Sequence, residues 1–170
     1  MDLLQFEARD LYFEQPDAPE VTALIKQSSE NYAAGEGELP LLQAYLRAPE
    51  SLNVLVALNR FYYYQHRLQE ALLISERALG LIRRDVEFPE DWRELSVELI
   101  ENAPKERLTR VRLYLFTLKS VGFLHMRLHD LGLCEAIFAK IVEVDAKDRI
   151  GALPLLELAR RLSAETAACA

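Results

Sequence analysis

Apolar residues recur along most of this chain at three- and four-residue intervals, and the strict alternation of a half-buried strand is nearly absent. The pattern predicts helices throughout. Val21, Leu24, Ile25 and Tyr32 mark a first helix over about Pro19 to Ala34, with Asp17 as its candidate N-cap. After the turn GEGE, a second covers roughly Leu39 to Arg47 and stops before Pro49, whose ring disfavours helical geometry at Ala48. Ser51 is placed to cap a third, running to about Gln65. Arg67 to Arg84 makes a fourth, with Leu68, Ala71, Leu72, Ser75, Ala78, Leu79 and Ile82 on one side. A charged stretch then offers a helix from Pro89 to about Glu101, followed by a long one opened by Pro104 behind an Asn102 cap and ending near His129. Leu131 to Val144 and Ile150 to about Ala164 complete the set, with SAETAACA as a frayed tail.

The third helix carries an anomaly. Phe61, Tyr62, Tyr63 and Tyr64 are consecutive. At about 100° per residue they sweep most of the helix circumference, so one core-facing stripe cannot hold them all. Some of these rings must serve a second surface.

The segments beginning at Ala18 and Leu52 lie 34 residues apart. On that period Val21 aligns with Leu55, Leu24 with Leu58, Leu41 with Ser75 and Ala44 with Ala78. The stretch RLQEALLISERAL places small Ala71 and Ala78 among larger residues. LKSVGFLHMRLHDLGLCEAIFAKIVEVDAKD places Leu118, Val121, Gly122, His125, Cys134, Phe138 and Ile141 in matching slots. In this the chain resembles tetratricopeptide repeat proteins, whose helix-pair units of 34 residues set small residues where the two helices cross. The resemblance implies an all-α fold, a right-handed stack of antiparallel helix pairs. Repeats would lie near 18–51, 52–85 and 115–148, with a helical insertion near 86–114 and a C-terminal capping helix near 150–164, all in a single domain.

In such a stack the first helix of each pair lines a concave groove. The resemblance then places Lys26 of the first unit, Asn53, Val56, Arg60, Tyr63 and Tyr64 of the second, and Lys119, Phe123, Met126 and Arg127 of the third on an aromatic and basic surface. Such a surface suits a protein or peptide partner with acidic and apolar residues. Some family members clamp a terminal carboxylate, but here Thr22 and Ala57 stand at two of the clamp's slots and its Lys and Asn pattern is not reproduced. The chain is also similar in length and acidity to bacterial type III secretion chaperones, apart from the insertion.

With 170 residues, 51% hydrophobic and 28% charged, the chain has enough apolar material for a core without metal or disulfide. Its net charge of -7 argues against general nucleic-acid binding, which needs a basic face. MDLLQFEARDLYFEQ lacks the pattern of a signal peptide, and no apolar run is long enough to span a membrane, so a cytoplasmic protein is expected. Cys134 and Cys169 form no spaced framework. His125 and His129, four apart with Asp130 and Cys134 nearby, could share a metal, yet His125 occupies a slot where the repeat packs a ring. Nucleophile and phosphate-loop motifs are absent, so the chain is expected to be a non-catalytic interaction module, adaptor or assembly chaperone, with no cofactor. The alternative is a structural oligomeric subunit whose aromatics are core. Trp92 tucks against the body or marks a second docking patch. The wide belt Ile150, Leu153, Leu155, Leu156, Leu158 and Leu162 suggests a homodimer seam.

Overall fold

The computed structural model describes residues 16–168, and these form helices and turns without a strand among them. The helices are α1 (Pro19–Glu30), α2 (Glu38–Arg47), α3 (Leu52–Tyr64), α4 (Leu68–Val86), α5 (Val97–Glu101), α6 (Leu108–Arg127), α7 (Leu131–Val144) and α8 (Leu153–Ala168). The chain divides into two compact units, one ending at Ala78 and the other beginning at Leu79, within α4. The leading segment MDLLQFEARDLYFEQ and Cys169 lie outside the described residues.

In the first unit α1 packs on α2 and α2 on α3. The first helix is shorter than its apolar pattern suggests. It ends at Glu30, Tyr32–Ala34 forms a single tighter turn, and Gly35 closes that turn in the left-handed region at φ 76°, where a side chain would be strained. Gly37 lets the chain pass close to α1, since a Cβ there would meet the Ser28 carbonyl oxygen at 2.9 Å and the Phe61 ring at 3.0 Å. Ser51 caps α3 as expected, accepting from the Val54 amide at 3.2 Å. Asp17 does not cap α1. The N-cap is Ala18, and the Asp17 carboxylate instead accepts from the Asn53 side-chain amide at 2.8 Å, joining the segment before α1 to the start of α3.

Val21, Leu41, Ala44, Val54, Leu55, Leu58 and Phe61 form the buried layer of this unit, each large side chain contributing roughly 1.5–3 kcal/mol. Asn59 fixes α3 against α4, its side-chain amide donating to the Ala71 carbonyl at 2.8 Å and to the Ser75 hydroxyl at 2.6 Å. Arg67 donates to Glu38 and to Glu70, both at 2.8 Å, and lies 4.6 Å from the Tyr62 ring centre. Burial, then the neighbouring Glu38 carboxylate, raises the Tyr62 hydroxyl above its ordinary pKa.

In the second unit α6 and α7 form a tight antiparallel pair, with α8 and the short α5 packed on α7. A Cβ on Gly122 would stand 2.8 Å from the Phe138 ring and 2.9 Å from Ile137, so only glycine permits this crossing of α6 and α7. Leu118, Cys134, Phe138 and Ile141 are fully buried around it. After α7, a loop is organised by two carboxylates. Buried Asp145 accepts from the Arg149 guanidinium at 3.0 Å and the Ile150 amide at 2.8 Å, and Asp148 caps α8 by accepting from the Ala152 and Leu153 amides. Phe88 meets Tyr114 edge to face at 5.1 Å, and burial pushes the Tyr114 hydroxyl up to about 12.

Three local expectations are corrected here. The stretch expected as one helix from Pro89 to Glu101 is a tight turn at Trp92–Glu94 followed by the one-turn helix α5. Asp91 and Ser96 each turn a side-chain oxygen onto a backbone amide, at Arg93 and Leu99, and each restarts the chain. Asn102 ends α5 rather than capping the next helix, its amide bonding to Glu98. The tail expected to fray continues α8 to Ala168.

Candidate functional site

A cleft of about 730 Å³ opens in the first unit, bounded by Thr22, Ile25, Ser28 and Ser29 of α1 and by Asn53, Val56, Ala57, Arg60, Phe61 and Tyr64 of α3. Leu41 of α2 contributes to its floor. The two bounding helices run side by side in the same direction. At their starts Asp17 bonds Asn53, and past the end of α1 the Tyr32 ring meets Phe61 edge to face at 5.9 Å. The walls are thus set by a polar clasp at one end and an aromatic contact at the other.

The aromatic run divides as the helical geometry demands. Phe61 and Tyr62 are buried, Tyr63 is half-buried, and Tyr64 is exposed at 44%. Tyr63 and Tyr64 meet each other edge to face at 5.5 Å. Asn53 and Val56 are half-buried on the cleft wall and Arg60 is exposed beside them. Arg60 makes no ion pair or hydrogen bond among the described residues. Asp17, the acid among the described residues lining this cleft, is already engaged by Asn53, so among the described residues Arg60 has no counter-charge beside its apolar and aromatic walls.

Of the ten residues expected on the groove, Asn53, Val56, Arg60 and Tyr64 line this cleft. Lys26 does not; it points outward and pairs with Glu30 at 3.7 Å, one turn along α1. Lys119 and Met126 are buried in the second unit at 6% and 7% exposure, which corrects their expected place on an open surface. The Lys119 ammonium donates to the Ile150 carbonyl and stands 4.8 Å from the Phe116 ring centre; burial lowers its pKa. Phe123 is half-buried and Arg127 exposed on α6. The sequence reading missed Ile25, Ser29 and Tyr32. The signal was available in Thr22 and Ala57, two positions noted as clamp slots, and both lie on the cleft wall.

His125 Nδ1 lies 3.2 Å from the Asp130 carboxylate, and His129 sits in the left-handed region at φ 64° as the chain turns towards α7. Among the described residues, no group of three or more His, Cys, Asp or Glu side chains is arranged to hold a metal ion. Cys134 is buried beside the Leu131 carbonyl at 3.2 Å, and burial pushes its thiol pKa up. Trp92 is half-buried with the Arg93 guanidinium 4.4 Å from its ring centre. No helix of the described residues is long and apolar enough to cross a membrane.

No family model matches the chain, and no solved structure matches it. It is similar to a protein of Azotobacter chroococcum mcd 1 described as an uncharacterized 19.8 kDa protein in nifW 5'region. The two are 41% identical over 165 residues, which cover 97% of this chain and 92% of that one.

Proposed function

The chain belongs to the family of that 19.8 kDa Azotobacter chroococcum protein, and we propose that its work, cytoplasmic and non-catalytic, is to hold a segment of a partner protein in the α1/α3 cleft. The relative's description names a gene neighbourhood and no reaction. The chemistry of the cleft therefore carries the reading. Arg60 is the observation on which it rests: an exposed guanidinium with no counter-charge among the described residues, beside Tyr64, Val56 and Ile25, selects a segment with an acid next to apolar or aromatic side chains. The cleft follows about 18 Å of helix, enough for five or six extended residues or about three turns of a partner helix. Thr22 and Ala57 leave no clamp for a terminal carboxylate, so the segment is internal or is recognised through side chains.

A tetratricopeptide-like arrangement is part of the same proposal. It is supported by the chain order α1 with α2, α3 with α4, and α6 with α7, by the parallel course of α1 and α3, and by Gly122 at the α6/α7 crossing. An adaptor or assembly chaperone of secretion-chaperone type is the corresponding biological role.

The test is a display library of acidic and aromatic peptides selected on the full chain, with the best segment labelled and titrated by fluorescence anisotropy. Arg60→Glu combined with Tyr64→Ala is expected to weaken binding at least tenfold while circular dichroism stays unchanged. A selected segment that binds this variant as tightly as the native chain removes the cleft from consideration. A second reading, a structural oligomeric subunit, is favoured by outward-facing leucines on α2, exposed at up to 81%.

A further inference from the structure

Those leucines serve neither cleft nor core. On α2 the side chains of Pro40, Leu41 and Ala44 are buried, while Leu39, Leu42 and Leu46 are exposed at 64%, 38% and 81%. Positions three and four apart share one helical face, so the three form a single apolar stripe where a solvated helix normally carries polar groups. The two ends of α2 indicate what covers it. At its start a hollow of about 540 Å³ is floored by Leu39, Pro40 and Leu42 and walled by Glu36 and Glu38. At its end Leu46, the most exposed of the stripe, is followed by exposed Arg47. Neither Glu36 nor Arg47 makes a side-chain ion pair among the described residues.

We propose that this face is the seam of a homodimer, closed by a second copy of the chain across a two-fold axis near Leu42 and Gln43. The stripe is complementary to its own reverse. With the axis there, Leu46 of one copy seats in the hollow of the other, and Arg47 beside it meets Glu36 on the wall, Glu38 being engaged by Arg67 of its own copy. Symmetry repeats the contact at the opposite end, as an isologous interface requires. Leu39 and Leu46 are about 10 Å apart along the helix, so two protrusions face two hollows at one spacing. Parallel pairing would set Arg47 against Arg47 and Glu36 against Glu36, so the charges select the antiparallel arrangement. Because protrusion and hollow belong to the same helix, a second copy satisfies both ends at once. The proposal does not depend on the α1/α3 cleft, and it places the seam on α2 rather than on the belt of α8. In that belt Leu156 is buried, Leu155, Leu158 and Leu162 are half-buried, and Leu153 is exposed.

The full chain, followed by sedimentation equilibrium over a wide concentration range, is expected to show a reversible monomer–dimer equilibrium. Leu46→Asp should weaken it about a hundredfold. Leu46 is 81% exposed, so the thermal unfolding of the monomer should not change. Arg47→Glu should weaken the dimer about tenfold, and adding Glu36→Arg to it should restore affinity to within about threefold of native, a recovery that a merely structural role would not produce. Four results overturn the proposal: a chain that stays monomeric throughout, a dimer indifferent to Leu46→Asp, a dimer lost on Leu153→Asp instead, or a charge exchange that restores nothing.

Discussion

Laid along one another in sequence, α3 and α6 set Val56 opposite Lys119 and Tyr63 opposite Met126, yet their surroundings differ. Along α3, Val56 and Tyr63 stay half-buried and Arg60 and Tyr64 reach solvent on the wall of a cleft. Along α6, Lys119 and Met126 are sealed. For Lys119 the cause lies outside the helix. The loop after α7, held by the Asp145 and Asp148 carboxylates, presents the Ile150 carbonyl to the Lys119 ammonium and covers that part of α6. A long basic side chain that would extend into solvent from an open wall becomes, under such a loop, an internal hydrogen-bond donor whose charge is disfavoured by burial. The lesson is that apolar spacing fixes which face of a helix points inward, while the connecting loops decide whether the other face is open.

If the second unit is a closed core and the α3 wall an open surface, the same kind of truncation should have opposite consequences in the two places. Phe138→Ala is expected to cost about 3–5 kcal/mol in urea denaturation, because the ring is fully buried at the α6/α7 crossing. Tyr64→Ala, removing a ring exposed at 44%, should cost less than about 1 kcal/mol. Comparable losses at both sites would break the contrast.

Adding volume sharpens it further. Gly122→Val has no room, with Phe138 at 2.8 Å and Ile137 at 2.9 Å from the new Cβ, and should destabilise by about 1–3 kcal/mol. Ala57→Val, on the cleft wall, should leave the unfolding midpoint nearly unchanged and instead weaken capture of a selected peptide. An Ala57 variant that unfolds as readily as the Gly122 variant would mean that the wall is packed.

The smallest expected effect is alkaline. Tyr114 ionises near 10 when unfolded and at about 12 when folded, so its neutral form is favoured by folding. Between those values the unfolded chain has lost a proton that the native chain keeps. Stability therefore falls as pH rises through this window, by about 1 kcal/mol at about pH 11. Tyr114→Phe should flatten that limb of the stability profile, and a profile that stays unchanged would show that the phenol is not shielded in the way its burial implies.

Much of the fold was legible in the sequence. The spacing of Ala71, Ser75, Ala78 and Ile82 marks the buried side of α4, and small Gly122 marks a close crossing, because burial imposes the helical period on side-chain chemistry. The stretch from Pro89 to Glu101 was misjudged because composition alone does not show that Asp91 and Ser96 will take backbone amides and interrupt the helix, though two such residues five apart were a visible warning. The site was half legible. The expected groove and the cleft share Arg60 and Tyr64, whereas Lys26, expected beside them, is absent from the cleft lining and pairs with Glu30. The apolar pattern places Tyr32 in the first helix, but the early end of α1 and the bend at Gly35 swing it over Phe61. Lys119 could not be placed, since its burial depends on a loop some thirty residues downstream.

The two sides of α3 have little in common apart from their backbone. Leu55, Leu58 and Tyr62 are buried and anchor the helix within its unit, whereas half-buried Val56 and Ala57 and exposed Arg60 stand on the cleft wall. A change in what the cleft accepts can therefore be made on one face of a single helix while the opposite face, and with it the packing of the unit, is left as it is.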